Sequence, residues 1–253
     1  MSGRDSGAAA LTELFPVCGV PIAAVDAASA AERIVTAART ARECQVHLCN
    51  AFTLSLVDSD HELREALLAA DLNLPDGAPV AWLGRRRGVR GPVRGAGLVR
   101  EVAERGRPDV RHYLYGGKEG VAEQMRDGLE REVPGVCVVG TECPPFRPLD
   151  DDDVRRLAER VRDSGATVVW VGLGTPRQDY LVHRLAPLVG VPVVPVGAAF
   201  DFWSGAVREA PRLLQGTGLE WIFRLASEPR RLWRRYLIGN PRFVLAAWRH
   251  RPR

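Results

Sequence analysis

The chain has 253 residues, 46% hydrophobic and 26% charged, with a formal net charge of +4, an ordinary globular composition able to bury one large core or two small ones. No apolar run approaches the ~18 residues needed to span a bilayer, and the segment Met1 to Ala10 has no apolar region of the kind a signal peptide carries. Five cysteines, an odd number without a C-x-x-C pair, point to reduced thiols rather than disulfides or a zinc site.

Residues 1–15 are small and polar and read as a frayed terminus. Val17 to Ile22 reads as a first strand, and Asp26 or Ser29 can cap a helix carrying Ile34, Val35 and Ala38. Val46-His47-Leu48-Cys49-Asn50 is an apolar run ending in a polar residue, the mark of a buried parallel strand entering a loop. One helical stretch follows from Leu54 to Leu68, then a short strand, Leu72 to Leu74, stopped by the turn Pro75-Asp76-Gly77.

A helix over Pro79 to Gly84 gives way to the basic loop Arg85 to Pro92, and Leu98 to Ala103 is again helical. The strand Arg111 to Tyr115 runs into Gly116-Gly117-Lys118-Glu119-Gly120, and a helix with Val121, Met125 and Leu129 leads to a strand at Val136 to Val139. A helix starts near Asp150; Thr167 to Val171 then feeds Gly172-Leu173-Gly174, another helix, and the strand Val193 to Val196 before Gly197. This strand–turn–helix beat, with no internal repeat or long linker, indicates one α/β domain with a mainly parallel sheet over residues 16–207. Gly-rich loops at the carboxyl ends of parallel strands form a ligand crevice, and the helix N-termini beyond them seat anions. Neither G-x-G-x-x-G nor a Walker A pattern is present, so a phosphate-bearing ligand is indicated without the NAD or ATP fingerprint.

From Arg208 onward eleven Arg oppose three Glu, a surplus of +8, so residues 1–207 sum to −4. Large apolar residues, among them Trp221, Phe223, Leu232, Trp233, Leu237 and Trp248, are interleaved with those arginines at roughly helical spacing. Residues 208–253 therefore read as a helical appendage with an apolar stripe and a cationic border, suited to an anionic membrane surface. Nucleic acid is the weaker reading, because the chain has a single Lys, Lys118, and no known reading motif.

Several polar residues fall where the crevice should be, each with a plain structural alternative. Asp76 either starts a turn or takes a proton from an attacking hydroxyl. Asn50 hydrogen-bonds a sugar or satisfies its loop. Gln178 reads a ligand edge or lies on the surface, and Asp201 caps a turn or faces ligand. The run Asp150 to Asp153 is read as a helix start favoured by the macrodipole rather than as a metal site.

Together the blocks Pro75-Asp76-Gly77-x-Pro79-Val80, Tyr115-Gly116-Gly117-Lys118-x-Gly120, Pro144-Pro145-Phe146, Val171-Gly172-Leu173-Gly174-x-Pro176-Arg177-Gln178, Phe200-Asp201-Phe202-x-x-Gly205 and Glu220-Trp221 through Arg235-Tyr236 resemble the WecG/TagA/CpsF family of bacterial glycosyltransferases. This family includes the N-acetylmannosaminyltransferases of teichoic acid and enterobacterial common antigen. The resemblance runs from about Val17 to Phe243. It implies a Rossmann-like domain with a membrane-seeking helical appendage, and an inverting transfer from a UDP-sugar to a polyprenyl-diphosphate-linked sugar without a metal or other cofactor. It implies Asp76 as general base and Asn50, Gly116, Gly117, Gln178 and Asp201 as donor-site residues. Of the tail arginines, Arg224, Arg231, Arg234 and Arg235 are the candidates to meet diphosphate. Such an enzyme would be cytoplasmic and peripheral to the plasma membrane, and the sequence leaves room for a homo-oligomer.

The sequence departs from the family pattern where members carry Arg-Val-x-Gly-x-Asp. Here the stretch is Pro92-Val93-Arg94-Gly95-Ala96-Gly97, which lacks that Arg and Asp, with Arg90 and Arg94 as candidates to stand for the former. This loss motivates an alternative: a non-catalytic paralogue that binds a nucleotide-sugar or anionic lipid.

Overall fold

The computed structural model describes residues 13–207, Pro211 and residues 220–250. The described chain opens with an antiparallel hairpin, β1 (Leu14–Val17) and β2 (Val20–Ala23), where the sequence suggested a single strand. Cys18 and Gly19 both take positive φ, 52° and 76°, which turns the chain back in two residues as a tight hairpin requires.

Six strands form the main sheet: β3 (Cys44–Cys49), β4 (Leu72–Pro75), β5 (Arg111–Gly116), β6 (Cys137–Glu142), β7 (Val168–Gly172) and β8 (Pro192–Pro195). Their order is β4-β3-β8-β7-β5-β6, and every neighbouring pair is parallel, so the fold is α/β and Rossmann-like. The strands are apolar runs because helices cover both faces of the sheet. Val46, Leu48, Leu114, Trp170 and Val194 face α1 (Ala27–Arg39), α5 (Gly95–Gly106), α6 (Val121–Glu132) and α9 (Ala199–Trp203). Tyr113, Tyr115, Val169, Val171 and Val193 face α7 (Asp151–Asp163) and α8 (Arg177–Val189).

A third cluster joins the hairpin to α2 (Ala51–Leu56), α3 (His61–Ala69), α4 (Ala78–Leu83) and the last helix, α12 (Gly239–Arg249), through Phe15, Ile22, Leu54, Leu63, Val80 and Phe243. The stretch read as one helix from Leu54 to Leu68 is thus two. It breaks because Asp60 caps α3 with its side chain, accepting from the Leu63 N–H at 3.0 Å. Asp26 caps α1 by accepting from Ser29 N–H at 2.8 Å, and α5 begins three residues before Leu98, at Gly95. Asp150 and Asp153 form a reciprocal capping box at the start of α7, so the acidic run is a helix start.

The C-terminal segment contains α10 (Glu220–Ser227), α11 (Pro229–Leu237) and α12. The Trp221 and Tyr236 rings pack with centroids 5.7 Å apart, tying α10 to α11. Trp233, Leu237, Val244, Leu245 and Trp248 remain exposed. The residues between 207 and 220 other than Pro211, Glu209-Ala210 among them, lie outside the described residues.

Candidate active site

The carboxyl ends of the parallel strands open on one cleft of about 1660 Å³, whose far wall is made by α10, α11 and α12. Pockets that hold one drug-sized ligand run about 300–1,000 Å³, so the cleft has room for two substrates.

Asn50 ends β3 and caps α2. Its Oδ1 accepts from the N–H groups of Phe52 and Thr53, both at 3.1 Å, which leaves Nδ2 to donate to Asp76 Oδ2 at 3.2 Å. One side chain therefore satisfies a helix start and aims a carboxylate. Asp76 follows β4. Its N–H donates to Cys49 O at 3.1 Å, while Val93 N–H donates to Pro75 O at 2.8 Å. The turn is thus held by β3 on one side and the basic loop on the other.

Gly116 and Gly172 end adjacent strands in register. A Cβ at Gly116 would lie 2.6 Å from the Gly172 backbone, and one at Gly172 would lie 2.4 Å from the Phe200 ring. Only glycines permit this closeness, and it lets Gly117 N–H donate to Gly172 O at 3.0 Å. Gln178 is buried rather than on the surface. Its Oε1 accepts from Gly174 N–H at 3.1 Å, and its amide lies against Gly197, where an added Cβ would be 3.1 Å from Oε1. Gln178 thus clasps two glycine loops together. Asp201 sits half-buried in the first turn of α9 and lines the cleft; the residue at the cap position of α9 is Ala198.

Adjoining the cleft is a pocket of about 120 Å³ where Asn50, Asp76, Arg94, Arg224, Arg235 and Tyr236 converge. The Arg224 guanidinium lies 5.5 Å from the Phe202 ring centroid, and its buried Nε has no hydrogen-bond partner among the described residues. The Arg235 guanidinium lies 5.1 Å from the Phe52 centroid. The side chains of Arg231 and Arg234 lie outside the described residues. Of the two arginines weighed for the altered block, Arg94 lines the pocket, whereas Arg90 is exposed. Gly95 lets α5 begin hard against β8, since a Cβ there would be 2.9 Å from Val196 O.

Sequence reasoning missed a buried polar chain beneath this floor. His47 Nδ1 and Asp179 Oδ1 are 2.8 Å apart with side-chain exposures of 0% and 1%, and Gln45 Nε2 is 2.9 Å from His47 Nε2. Since the Gln45 amide nitrogen only donates, His47 accepts at Nε2 and holds its proton at Nδ1, toward Asp179. The signal was two polar residues, Gln45 and His47, on one face of an otherwise apolar strand. All five cysteines are free. Burial, reinforced by the carboxylates of Asp179 and Asp76, pushes the Cys49 thiol well above its usual range, so it is an inert core residue. Among the described residues no group of three or more His, Cys, Asp or Glu is placed to hold a metal ion.

A parallel sheet whose glycine loops, carboxylate and guanidinium groups meet in one cleft has the α/β arrangement in which ligands bind at the carboxyl ends of the strands. The chain belongs to the WecG/TagA/CpsF family of glycosyl transferases, whose family model matches residues 15–253. Its class is therefore glycosyltransferase, in cell-surface polysaccharide synthesis, with a sugar donor and an acceptor as substrates. No helix among the described residues is long and apolar enough to cross a membrane.

Proposed function

We propose that the protein transfers a sugar, N-acetylmannosamine or a related hexose or uronic acid, from a UDP-sugar to a polyprenyl-diphosphate-linked sugar, with inversion and without a metal or other cofactor. The observation that carries this reading is the convergence of Asp76, steered by Asn50 at 3.2 Å, with Arg94, Arg224 and Arg235 in one pocket. In the reaction the acceptor hydroxyl gives its proton to the Asp76 carboxylate and its oxygen bonds to the anomeric carbon from the face opposite UDP. The bond from that carbon to the diphosphate oxygen breaks, its electron pair leaves with UDP, and an α-linked donor yields a β-linked product. Charge growing on the diphosphate is met by guanidinium groups and by loop N–H groups at helix starts. Asn50, Gly116, Gly117, Gln178 and Asp201 shape the donor site. Arg231 and Arg234 belong to the same basic segment and are assigned to diphosphate binding on their sequence positions alone. Residues 208–253 associate the enzyme peripherally with the cytoplasmic face of the plasma membrane, as a monomer or a homo-oligomer.

A UDP-release assay tests the reading: the full chain is offered a panel of UDP-sugars in EDTA, with and without a polyprenyl-diphosphate-GlcNAc analogue. One donor should give acceptor-dependent release, and Asp76→Asn should lower kcat by about 10²–10⁴ while UDP affinity is kept. UDP bound calorimetrically with no turnover on any donor would favour the non-catalytic paralogue, and near-wild-type turnover of a folded Asp76→Asn would remove Asp76 as base.

A further inference from the structure

Between Asp76 and Glu101 the chain holds six Arg and no acidic residue, and only Arg94 of these enters the pocket beside Asp76. Arg85, Arg86 and Arg87 follow the outer end of α4, whereas Arg100 lies on α5 and pairs with Glu132. The inner side of α4, Ala78, Val80 and Ala81, is buried. Trp82 and Leu83 point away from it and are 46% and 50% exposed. Arg85, Arg86 and Arg87 follow in a single exposed 3₁₀ turn. The Arg85 guanidinium lies 5.9 Å from the Trp82 ring centroid, and Arg87 pairs with Glu13 at 2.7 Å.

This display is rigid. Gly84 is wedged so tightly that a Cβ would lie 2.6 Å from both Phe15 and Val89, and Gly88 closes the turn at φ 85°. The corner Trp82-Leu83-Gly84-Arg85-Arg86 is therefore pinned at Gly84. Trp beside Arg is the combination that sits at a membrane–water interface, its ring among headgroups and its cations on anionic lipid. One Trp and one Leu make too small a face for a stable protein interface, which needs about 1,000 Å², whereas a bilayer requires no matching shape. The opposite, inner end of α4 meets the basic tail, because Ala78 and Pro79 share a pocket with Trp221, Tyr236 and Asn240.

We propose that the outer end of α4, Trp82 and Leu83 backed by Arg85 and Arg86, is a second contact with anionic membrane, built into the α/β domain and separate from the C-terminal helices. This rests on the reading that the acceptor is membrane-borne. Its consequence is positional. Asp76 stands just before the six-residue helix α4, about 9 Å long at 1.5 Å per residue, so this contact fixes the height of the base above the lipid headgroups.

The test is co-sedimentation of the full chain with vesicles of phosphatidylglycerol and phosphatidylethanolamine, and with vesicles of phosphatidylcholine. It compares wild type, Trp82→Ser/Leu83→Ser, Arg85→Ser/Arg86→Ser and the tail variant Trp233→Ser/Trp248→Ser. The arginine pair should lower partition onto the anionic vesicles by roughly 25-fold, at about fivefold per arginine, and the Trp82/Leu83 pair should lower it by about tenfold through lost apolar insertion. Turnover on a water-soluble acceptor analogue should stay at the wild-type level. Turnover on acceptor embedded in vesicles should fall with the partition. Unchanged partition of both α4 variants, with wild type and the tail variant differing, overturns this inference alone. Failure of wild type to bind any vesicle overturns it together with the membrane-borne acceptor. A changed oligomeric state in light scattering without changed vesicle binding makes the corner a self-association face and also overturns it. Vesicle binding that depends on α4, in a chain inactive on every donor, would retain the contact while removing the proposed reaction.

Discussion

At the scale of single residues, the chemistry depends on side chains that serve two partners at once. Arg224 lies over Phe202 at 5.5 Å and keeps a buried Nε without a hydrogen-bond partner among the described residues, a donor placed to meet an anion. A planar fork held against a ring is not reproduced by an ammonium. Arg224→Lys should therefore weaken UDP binding nearly as much as Arg224→Ala, by about tenfold or more for the lost charge-assisted hydrogen bonds, as isothermal calorimetry will show. Full rescue by Lys would remove the stacked geometry from the account. Asp179 makes a different case. With His47 at 2.8 Å and both side chains buried, Asp179→Ala strands a polar ring and should cost about 3 kcal/mol. At roughly 2–4 °C per kcal/mol for a chain of this size, the loss is plain in a thermal melt. Asp76 and Asn50 were legible because strand ends and turn chemistry mark them. Asp179 was not, because its partner is 132 residues away and no local pattern joins them. Gln178 was legible as a candidate but not as a clasp, since that role exists only when Gly174 and Gly197 meet.

At the scale of elements, the strands showed themselves by continuous apolar runs and the helices by their caps, while the failures came from single residues that override a pattern. The apolar period from Leu54 to Leu68 continues through the break that Asp60 imposes. The hairpin was hidden because Cys18 is not a residue that announces positive φ. Gly116→Ala drives a methyl to 2.6 Å from the Gly172 backbone, which must part the ends of β5 and β7; overpacking of this kind costs about 1–3 kcal/mol, and UDP binding should fall with stability. A Gly116→Ala protein with unaltered melting and UDP affinity would show the close approach to be dispensable. The same two strands carry His112 and Trp170, stacked at 6.1 Å, with the indole N–H donating to His112 Nδ1 at 2.9 Å. Burial lowers the His112 pKa from 6.5 to about 4, so it is neutral when folded. As pH falls below 6.5 the unfolded chain takes up this proton first, and stability is lost until about pH 4; above 6.5 the contribution is complete. Asn at this position keeps an acceptor but does not titrate. Between pH 6.5 and 5, wild type should lose about 1.5 kcal/mol more than His112→Asn in urea unfolding, and equal losses would remove His112 as the titrating group.

At the scale of the whole molecule, charge and packing divide the chain differently. By charge, residues 1–207 sum to −4 and the rest to +8, which invites a picture of an acidic enzyme on a detachable basic anchor. Packing contradicts detachment: Phe243 and Ala246 of α12 are buried in the same cluster as Phe15, Val20, Ile22, Leu54 and Val57, and Arg224 and Arg235 line the pocket that holds Asp76. Truncation after Val207 would open that cluster to water. At about 1.5–3 kcal/mol for each large apolar side chain uncovered, the truncated chain should melt well below the full chain or aggregate. It should also bind UDP poorly for want of its arginines. Loss of vesicle binding on truncation would thus confound anchoring with unfolding. The informative change leaves Phe243 and Ala246 in place and alters only exposed groups of α11 and α12, Trp233 and Trp248. That protein should melt and bind UDP as wild type does and should leave anionic vesicles at lower salt. Raising ionic strength shortens the screening length from about 10 Å at 0.1 M to about 3 Å at 1 M, so wild-type binding should itself decline steeply across that range. Vesicle binding that ignores salt would mean that apolar insertion, not the arginine surplus, drives it.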